Sequence, residues 1–311
     1  MKWFRPTIAS LVLMLAAGCT STASQQADSW VYPPMAVPLQ SSVQQQVQIA
    51  RLTQLLQRPD LSDKVRAKML YERGSFYDNV GLKDLARLDF DRSLSYYPVQ
   101  PDLFNLLGVY YTQIGEFDAA YQAFESCLEL DPENVYAERN LAVALYYGDR
   151  TEMAIEAMKR HYENDPTDPF RAMWLYIVEA KKDPEAAREH LLTRFQDRDE
   201  QWGWVLVSIL LEQAPDDQTF RAIIEGTKDN TLLAERLTEA YYYMAKRYHL
   251  DGDLASALSL YKMAISFNVF EYIEHKYSFV ELNRIYNTVR AEQVAAAKAA
   301  QANGIAAQQE E

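Results

Sequence analysis

From about residue 41 to residue 289, apolar residues recur at the three-and-four spacing of a helix face, and no stretch alternates with the period of two that a strand requires. The chain therefore reads as all-α. Three prolines, Pro98, Pro132 and Pro166, close successive helical patterns at a constant interval of 34 residues. Asp168-Pro169 and Asp183-Pro184 each place a capping carboxylate before a first-turn proline, so each should open a helix. Between roughly Phe170 and Leu237 the pattern stays helical, with apolar stretches at Met173–Val178, Trp202–Leu211 and Phe220–Ile224, but the repeat is degraded.

A period of 34 is that of the tetratricopeptide repeat (TPR), a helix pair that cannot bury its apolar face alone and must stack on its neighbours. Two consecutive units, starting at Ala67 and Pro101, match at six positions. These are Gly74 and Gly108 where the helices cross, Tyr77 and Tyr111, turn glycines Gly81 and Gly115, Ala86 and Ala120, Phe90 and Phe124, then the closing proline. A third unit from Val135 keeps Ala154 and Pro166, carries Ala142, Leu145 and Met158 at the glycine, tyrosine and phenylalanine positions, and has Gly148 one place early. A fourth is legible in Ala245, Tyr248, Gly252, Ala257, Tyr261 and Ala264. The expected fold is an all-α, TPR-type helical-hairpin solenoid, a right-handed superhelix with a concave groove. Its segments are an export signal over 1–18, a lipidated N-terminus and flexible tether over 19–40, N-terminal helices packing on the solenoid over 41–66, and three repeats over 67–168. Degenerate helix pairs follow over 169–236, a C-terminal repeat and closing helix over 237–289, and an Ala/Gln-rich tail over 290–311, a frayed helix or disordered.

The amino terminus carries an address. Lys2 and Arg5 precede an apolar run, Ile8–Leu15, and the small residues Ala16-Ala17-Gly18 precede Cys19. The run is too short to span a bilayer. Leu15-Ala16-Ala17-Gly18-Cys19 resembles the lipobox of bacterial lipoproteins, with alanine where the usual leucine stands three places before the cysteine. That resemblance implies cleavage before Cys19, lipidation of Cys19, and, with Thr20 rather than aspartate following, residence in the outer membrane facing the periplasm. Several acyl chains hold a protein to a bilayer stably where one does not. A polar stretch, Thr20–Ser29, and the three prolines within Trp30–Leu39 should give an extended or disordered tether.

Charge excludes some partners. The net charge is −13, which argues against nucleic acid and against an electrostatic grip on anionic lipid. Cys127 falls where TPR helices carry alanine, so it should be a buried thiol. The histidines, His161, His190, His249 and His275, have no metal-ligand spacing, and no phosphate loop or nucleophile elbow occurs. Asp89/Asp91 and Asp216/Asp217 read as solvated pairs, and Trp202-Gly203-Trp204 as indoles packed in the core rather than a ligand platform. Neither a cofactor, a metal nor enzymatic activity is expected.

Specific text lies on top of the repeats: Ala36–Gln40 (AVPLQ), Leu70–Gly74 (LYERG), Phe117–Tyr121 (FDAAY), Leu128–Pro132 (LELDP), Ala144–Gly148 (ALYYG), Asp168–Arg171 (DPFR) and Glu200–Trp204 (EQWGW). With the lipobox, this text resembles the NlpI family of gammaproteobacterial outer-membrane lipoproteins, from the signal to about Leu282; the tail after Val289 departs from it. The resemblance implies a homodimeric adaptor that binds a periplasmic tail-specific protease, Prc, delivers a peptidoglycan endopeptidase to it, and scaffolds other cell-wall hydrolases. Alternatives left open are a pilotin or assembly factor for an outer-membrane secretin, a purely structural scaffold, and a peptidoglycan hydrolase.

First helices of stacked TPR units line the concave face, where a peptide can lie. The second, fifth, ninth, twelfth and thirteenth places of each unit should point into it. They are Lys68, Tyr71, Ser75, Asp78 and Asn79 in the first unit and Asp102, Asn105, Val109, Thr112 and Gln113 in the second. In the third they are Tyr136, Arg139, Val143, Tyr146 and Tyr147. On this reading Asn105→Ala with Tyr147→Ala weakens partner capture without changing the melting point.

Overall fold

A computed structural model describes residues 33–309, with side chains to residue 298. The export signal, Cys19 and the chain up to residue 32 lie outside the described residues. Among the described residues there are fourteen α-helices and no strand, within one compact unit, Pro34–Glu311. No helix among them is long and apolar enough to cross a membrane.

The helices follow the repeat text. After α1 (Val43–Leu55) the first three units are α2 (Asp63–Asn79) with α3 (Lys83–Tyr96), α4 (Pro101–Ile114) with α5 (Phe117–Leu130), and α6 (Val135–Tyr147) with α7 (Thr151–Asn164). The degenerate stretch forms α8 (Pro169–Ala180), α9 (Pro184–Gln196), α10 (Gly203–Leu210) and α11 (Asp216–Gly226). The fourth legible unit is α12 (Asn230–Leu250) with α13 (Leu254–Ile265), and α14 (Ile273–Gln309) closes the chain. Consecutive helices pack as antiparallel pairs and each pair stacks on the next, a TPR-type solenoid.

Local chemistry explains the boundaries. Pro98, Pro132 and Pro166 each fall two places past the end of a second helix, where a missing N–H halts the ladder. The Asp168 carboxylate accepts from the Phe170 N–H (2.8 Å) and Asp183 from the Ala186 N–H (3.0 Å), each with proline at the first helical position, as expected. Gly74 and Gly108 sit at the crossings: a Cβ there would lie 2.6 Å from Phe90 and 2.5 Å from Phe124. Gly81 and Gly115 adopt positive φ (81° and 83°) in the turns, as does Gly252 (83°). In the third unit the left-handed residue is Asp149 (φ 60°), and the early Gly148 has an ordinary helical-side φ of −81°.

Three expectations change. Residues 41–66 hold one complete helix, α1, and then the first turn of α2, which begins at Asp63, four residues before the repeat text. Helix α14 runs without a break through the Ala/Gln-rich tail to Gln309. Pro34–Leu39, expected to be free tether, is docked: Pro34 and Ala36 are buried, and Val37 and Leu39 hydrogen-bond to residues of the C-terminal repeat.

Candidate protein-interaction site

The first helices of the three N-terminal repeats, α2, α4 and α6, carry all fifteen counted positions, and their exposure splits along the helix. At the second place of each unit Lys68, Asp102 and Tyr136 are exposed; at the fifth, Tyr71, Asn105 and Arg139 are half-buried. These six form one open face. Asn140 on α6, itself buried, links two of them: its Nδ2 donates to Asn105 Oδ1 (3.0 Å), while Arg139 Nε donates to Asn140 Oδ1 (3.2 Å). The Arg139 guanidinium also lies over the Tyr136 ring at 5.8 Å.

At the head of this face a cleft of about 540 Å³ opens between the start of α2 and the α3–α4 turn, lined by Lys64, Val65, Lys68, Met69, Tyr71, Tyr97 and Gln100. Its floor is built by the repeat itself, because the Tyr71 ring rests on Phe90, the residue that fills the Gly74 crossing (centroids 6.3 Å apart). Burial, and then the nearby Asp102 charge, raise the Tyr71 phenol above its usual pKa, so it stays a neutral hydroxyl. Lys64 stands over Tyr97 at 5.8 Å, and Lys68 faces Glu72 at 3.8 Å. The lining is apolar and aromatic with ammonium groups at its rim, a surface that suits a polypeptide with an apolar anchor.

The ninth, twelfth and thirteenth places are a different matter. Ser75, Asp78, Asn79 and Gln113 are half-buried, whereas Val109, Thr112, Val143, Tyr146 and Tyr147 are buried. These five are corrected from groove lining to core. The reason is the chain's own carboxyl-terminal repeat, which lies on the concave side: α14 packs against α4 and α12. Asp78 pairs with Lys276, the Tyr147 ring meets Tyr277 (5.6 Å), and the hydroxyls of Tyr147 and Tyr242 hydrogen-bond at 3.2 Å. Tyr147→Ala would therefore open a core cavity, and its expected neutrality for folding is withdrawn.

Beneath these tyrosines lies a buried ion pair. Lys246 of α12 bonds Glu281 of α14, each side chain 1% exposed, and His249 reaches the other Glu281 oxygen at 3.0 Å. Burial alone would raise the Glu281 pKa, but Lys246, His249 and Arg284 hold it well below the usual carboxylate range. The Lys246 ammonium also faces the Tyr146 and Tyr147 rings at 4.8 and 5.2 Å.

Other candidates resolve into structure. Asp89 is buried, not solvated, because Arg73 grips it bidentately (2.6 and 2.7 Å). Its neighbour Asp91 is half-buried beside Arg87, and Asp216 is held by Arg247 at 2.8 Å. Trp204 is core, against Phe195, while Trp202 lies under the Arg236 guanidinium (3.9 Å) and donates to Glu239 (2.6 Å). Gly203 between them has no room for a side chain, since a Cβ would sit 2.5 Å from Pro169. The Cys127 thiol is buried and pushed up to about 11, which keeps it an unreactive thiol. His161 bonds Glu138 and His190 bonds Glu179, and among the described residues no three metal-ligating side chains converge. Lys64, Met69, Tyr97 and Gln100 lie outside the counted positions, and only the three-dimensional cleft reveals them.

The tetratricopeptide repeat family matches residues 101–134, which begin where the second unit begins. Similar solved structures include the Pseudomonas aeruginosa pilF protein, at 19% identity over 68% of this chain and 95% of that one, with a TM-score of 0.41. A Parabacteroides merdae tetratricopeptide repeat protein matches at 12% identity, covering 75% and 90%, TM-score 0.46. Yeast Tom70 matches at 15% identity, covering 82% of this chain and 61% of that one, TM-score 0.37. TPR proteins are typically non-enzymatic scaffolds that work through protein partners.

Proposed function

We propose that this chain is a lipid-anchored, homodimeric outer-membrane adaptor that binds a periplasmic tail-specific protease and presents a peptidoglycan endopeptidase to it, without catalysing a reaction itself. The observation that carries the protein-binding half is the open face of Lys68, Tyr71, Asp102, Asn105, Tyr136 and Arg139, which remains after the chain's own helices have taken the rest of the concave side. Support for the address is the lipobox ending at Cys19, and support for the partners is the NlpI-like text that recurs through the repeats. The docking of Pro34–Leu39 shortens the tether. Docked, residues 34–39 add no reach, whereas extended they would add about 20 Å at roughly 3.3 Å per residue.

The test is capture from outer membranes by the anchored chain, followed by proteolysis with purified components. The wild type should retain protease and endopeptidase and accelerate cleavage of the second by the first. Lys68→Ala with Tyr136→Ala, both exposed, should weaken capture at least tenfold, a loss of about 1.4 kcal/mol or more as expected of interface anchors, with an unchanged melting point. Retention of a secretin instead, or capture indifferent to both substitutions, overturns the assignment.

A further inference from the structure

Residues 34–39 are bound to the C-terminal repeat as a ligand would be. The Val37 N–H donates to Asn230 Oδ1 (2.8 Å), and Asn230 Nδ2 donates back to the Val37 carbonyl (2.8 Å), so one amide reads both main-chain groups of one residue. Two residues on, the Leu39 N–H donates to the Phe267 carbonyl (2.8 Å) and Asn268 Nδ2 donates to the Leu39 carbonyl (3.2 Å). The Tyr241 hydroxyl donates to the Pro34 carbonyl (2.8 Å). Residues 37 and 39 present their main-chain groups on one edge, as residues i and i+2 of an extended chain do. Pro38, between them, puts its missing N–H on the other edge, where no bond is lost.

Side-chain burial alternates over residues 34–37, after which Pro38 is exposed and Leu39 half-buried. Pro34 and Ala36 are buried, while Met35 is 53% and Val37 69% exposed. Asn268 has a φ of 59°, a left-handed conformation that asparagine accepts, and the turn it makes brings the Phe267 carbonyl and its own amide to one edge. The polar partners all come from α12 and the α13–α14 turn, up to 229 residues away in sequence.

We propose that Asn230, Tyr241 and the Phe267–Asn268 turn form a peptide-binding site, distinct from the open face of the N-terminal repeats, whose ligand is an extended segment with a small residue followed two places later by proline. In this chain residues 34–39 fill it. The polar contacts are to main-chain atoms, so the site selects backbone conformation first. Sequence enters where the Ala36 methyl is enclosed, which admits a small side chain. Prolines on either side lower the entropy lost when such a segment is ordered. This site depends on neither the adaptor reading nor lipidation.

A tethered segment competes at high effective concentration, so the test disables it within the full chain. Ala36→Glu puts a carboxylate into an enclosed methyl site and should release residues 34–39. A dye-labelled synthetic peptide spanning residues 31–41 should then bind that variant saturably, with binding at least tenfold weaker when Asn230→Ala is added, and absent for a peptide that itself carries glutamate at 36. No saturable binding to an Ala36→Glu chain that melts normally, or binding indifferent to Asn230→Ala, overturns the site. Hydrogen exchange on the Asn230→Ala chain gives a second reading: the Val37 amide should exchange at least tenfold faster, with Gly108 unaffected. Unchanged exchange at Val37 also overturns it.

Discussion

At Gly108 the difference between a repeat that closes and one that does not is a single carbon atom. A Cβ there would stand 2.5 Å from Phe124 Cε1, well inside contact distance, with the ring fully buried and unable to retreat. Gly108→Ala should therefore destabilise by about 1–3 kcal/mol, the usual penalty for overpacking. The third repeat shows the compensation. It has Ala142 at the glycine position and Met158 at the phenylalanine position, both fully buried, so an unbranched thioether chain replaces the ring that leaves no space for a methyl. Accordingly Gly108→Ala with Phe124→Met should recover at least half of the loss, read from urea-unfolding midpoints of the three variants. A double variant no more stable than Gly108→Ala alone would refute this pairing.

At the scale of elements, α14 behaves as a part of the solenoid that happens to be helical ligand-like in placement: it lies where a bound helix would lie, yet Tyr277, Ser278, Glu281 and Ile285 are buried in it. Its seam with α12 holds the Lys246–Glu281 pair. Removing one partner of such a pair leaves the other charged and dry, so Glu281→Gln should cost about 3–5 kcal/mol, whereas replacing both by Lys246→Met with Glu281→Leu should restore most of it. Thermal unfolding with near-ultraviolet circular dichroism measures both. The repeats were legible in the sequence because each is made of near neighbours: a glycine, a ring sixteen residues later, a proline at the end. The elements that cover them were not. The face of α14 that meets α12 and the repeats mixes Lys276, Glu281 and Arg284 with Tyr277 and Ile285, which blurs an apolar stripe into ordinary amphipathic text. The docked segment is harder still, since Val37 meets Asn230 across 193 residues and its own prolines read as linker. Thus the second and fifth places of the site were legible to their exposure, and the deeper places were not, because what buries them is specified more than 90 residues away.

For the molecule as a whole, the same C-terminal seam sets how stability responds to pH. Glu239 of α12 is pushed up to about 8, first by burial and then by the neighbouring Glu274 carboxyl, while the Trp202 indole N–H and Arg236 pull the other way. Glu274 is likewise raised by burial, and the Tyr243 hydroxyl donates to it (2.9 Å). Glu235 and Tyr272 also bear on Glu239, and the Arg139 guanidinium opposes the rise at Glu274. An unfolded glutamate titrates near about 4.3, so between that value and about 8 the folded chain holds a proton that the unfolded chain has released. Stability from Glu239 is thus fully present below about 4.3 and is lost progressively as pH rises through the folded pKa. Two histidines oppose this at lower pH. Burial holds His275 down at about 4 and lowers His161, so below about 6.5 the unfolded chain takes up protons that the folded chain refuses. The window from about 6.5 to 8.5 therefore reports the carboxyl. Glu239→Gln keeps an oxygen for the Trp202 indole and cannot ionise. Its melting point should fall less than that of the wild type across this window, and at pH 8.5 should lie at least about 2 °C above it, the shift that somewhat under 1 kcal/mol produces in a domain of this size. Parallel melting curves from pH 6.5 to 8.5 would show instead that Glu239 is already ionised in the fold, with Arg236 carrying its charge.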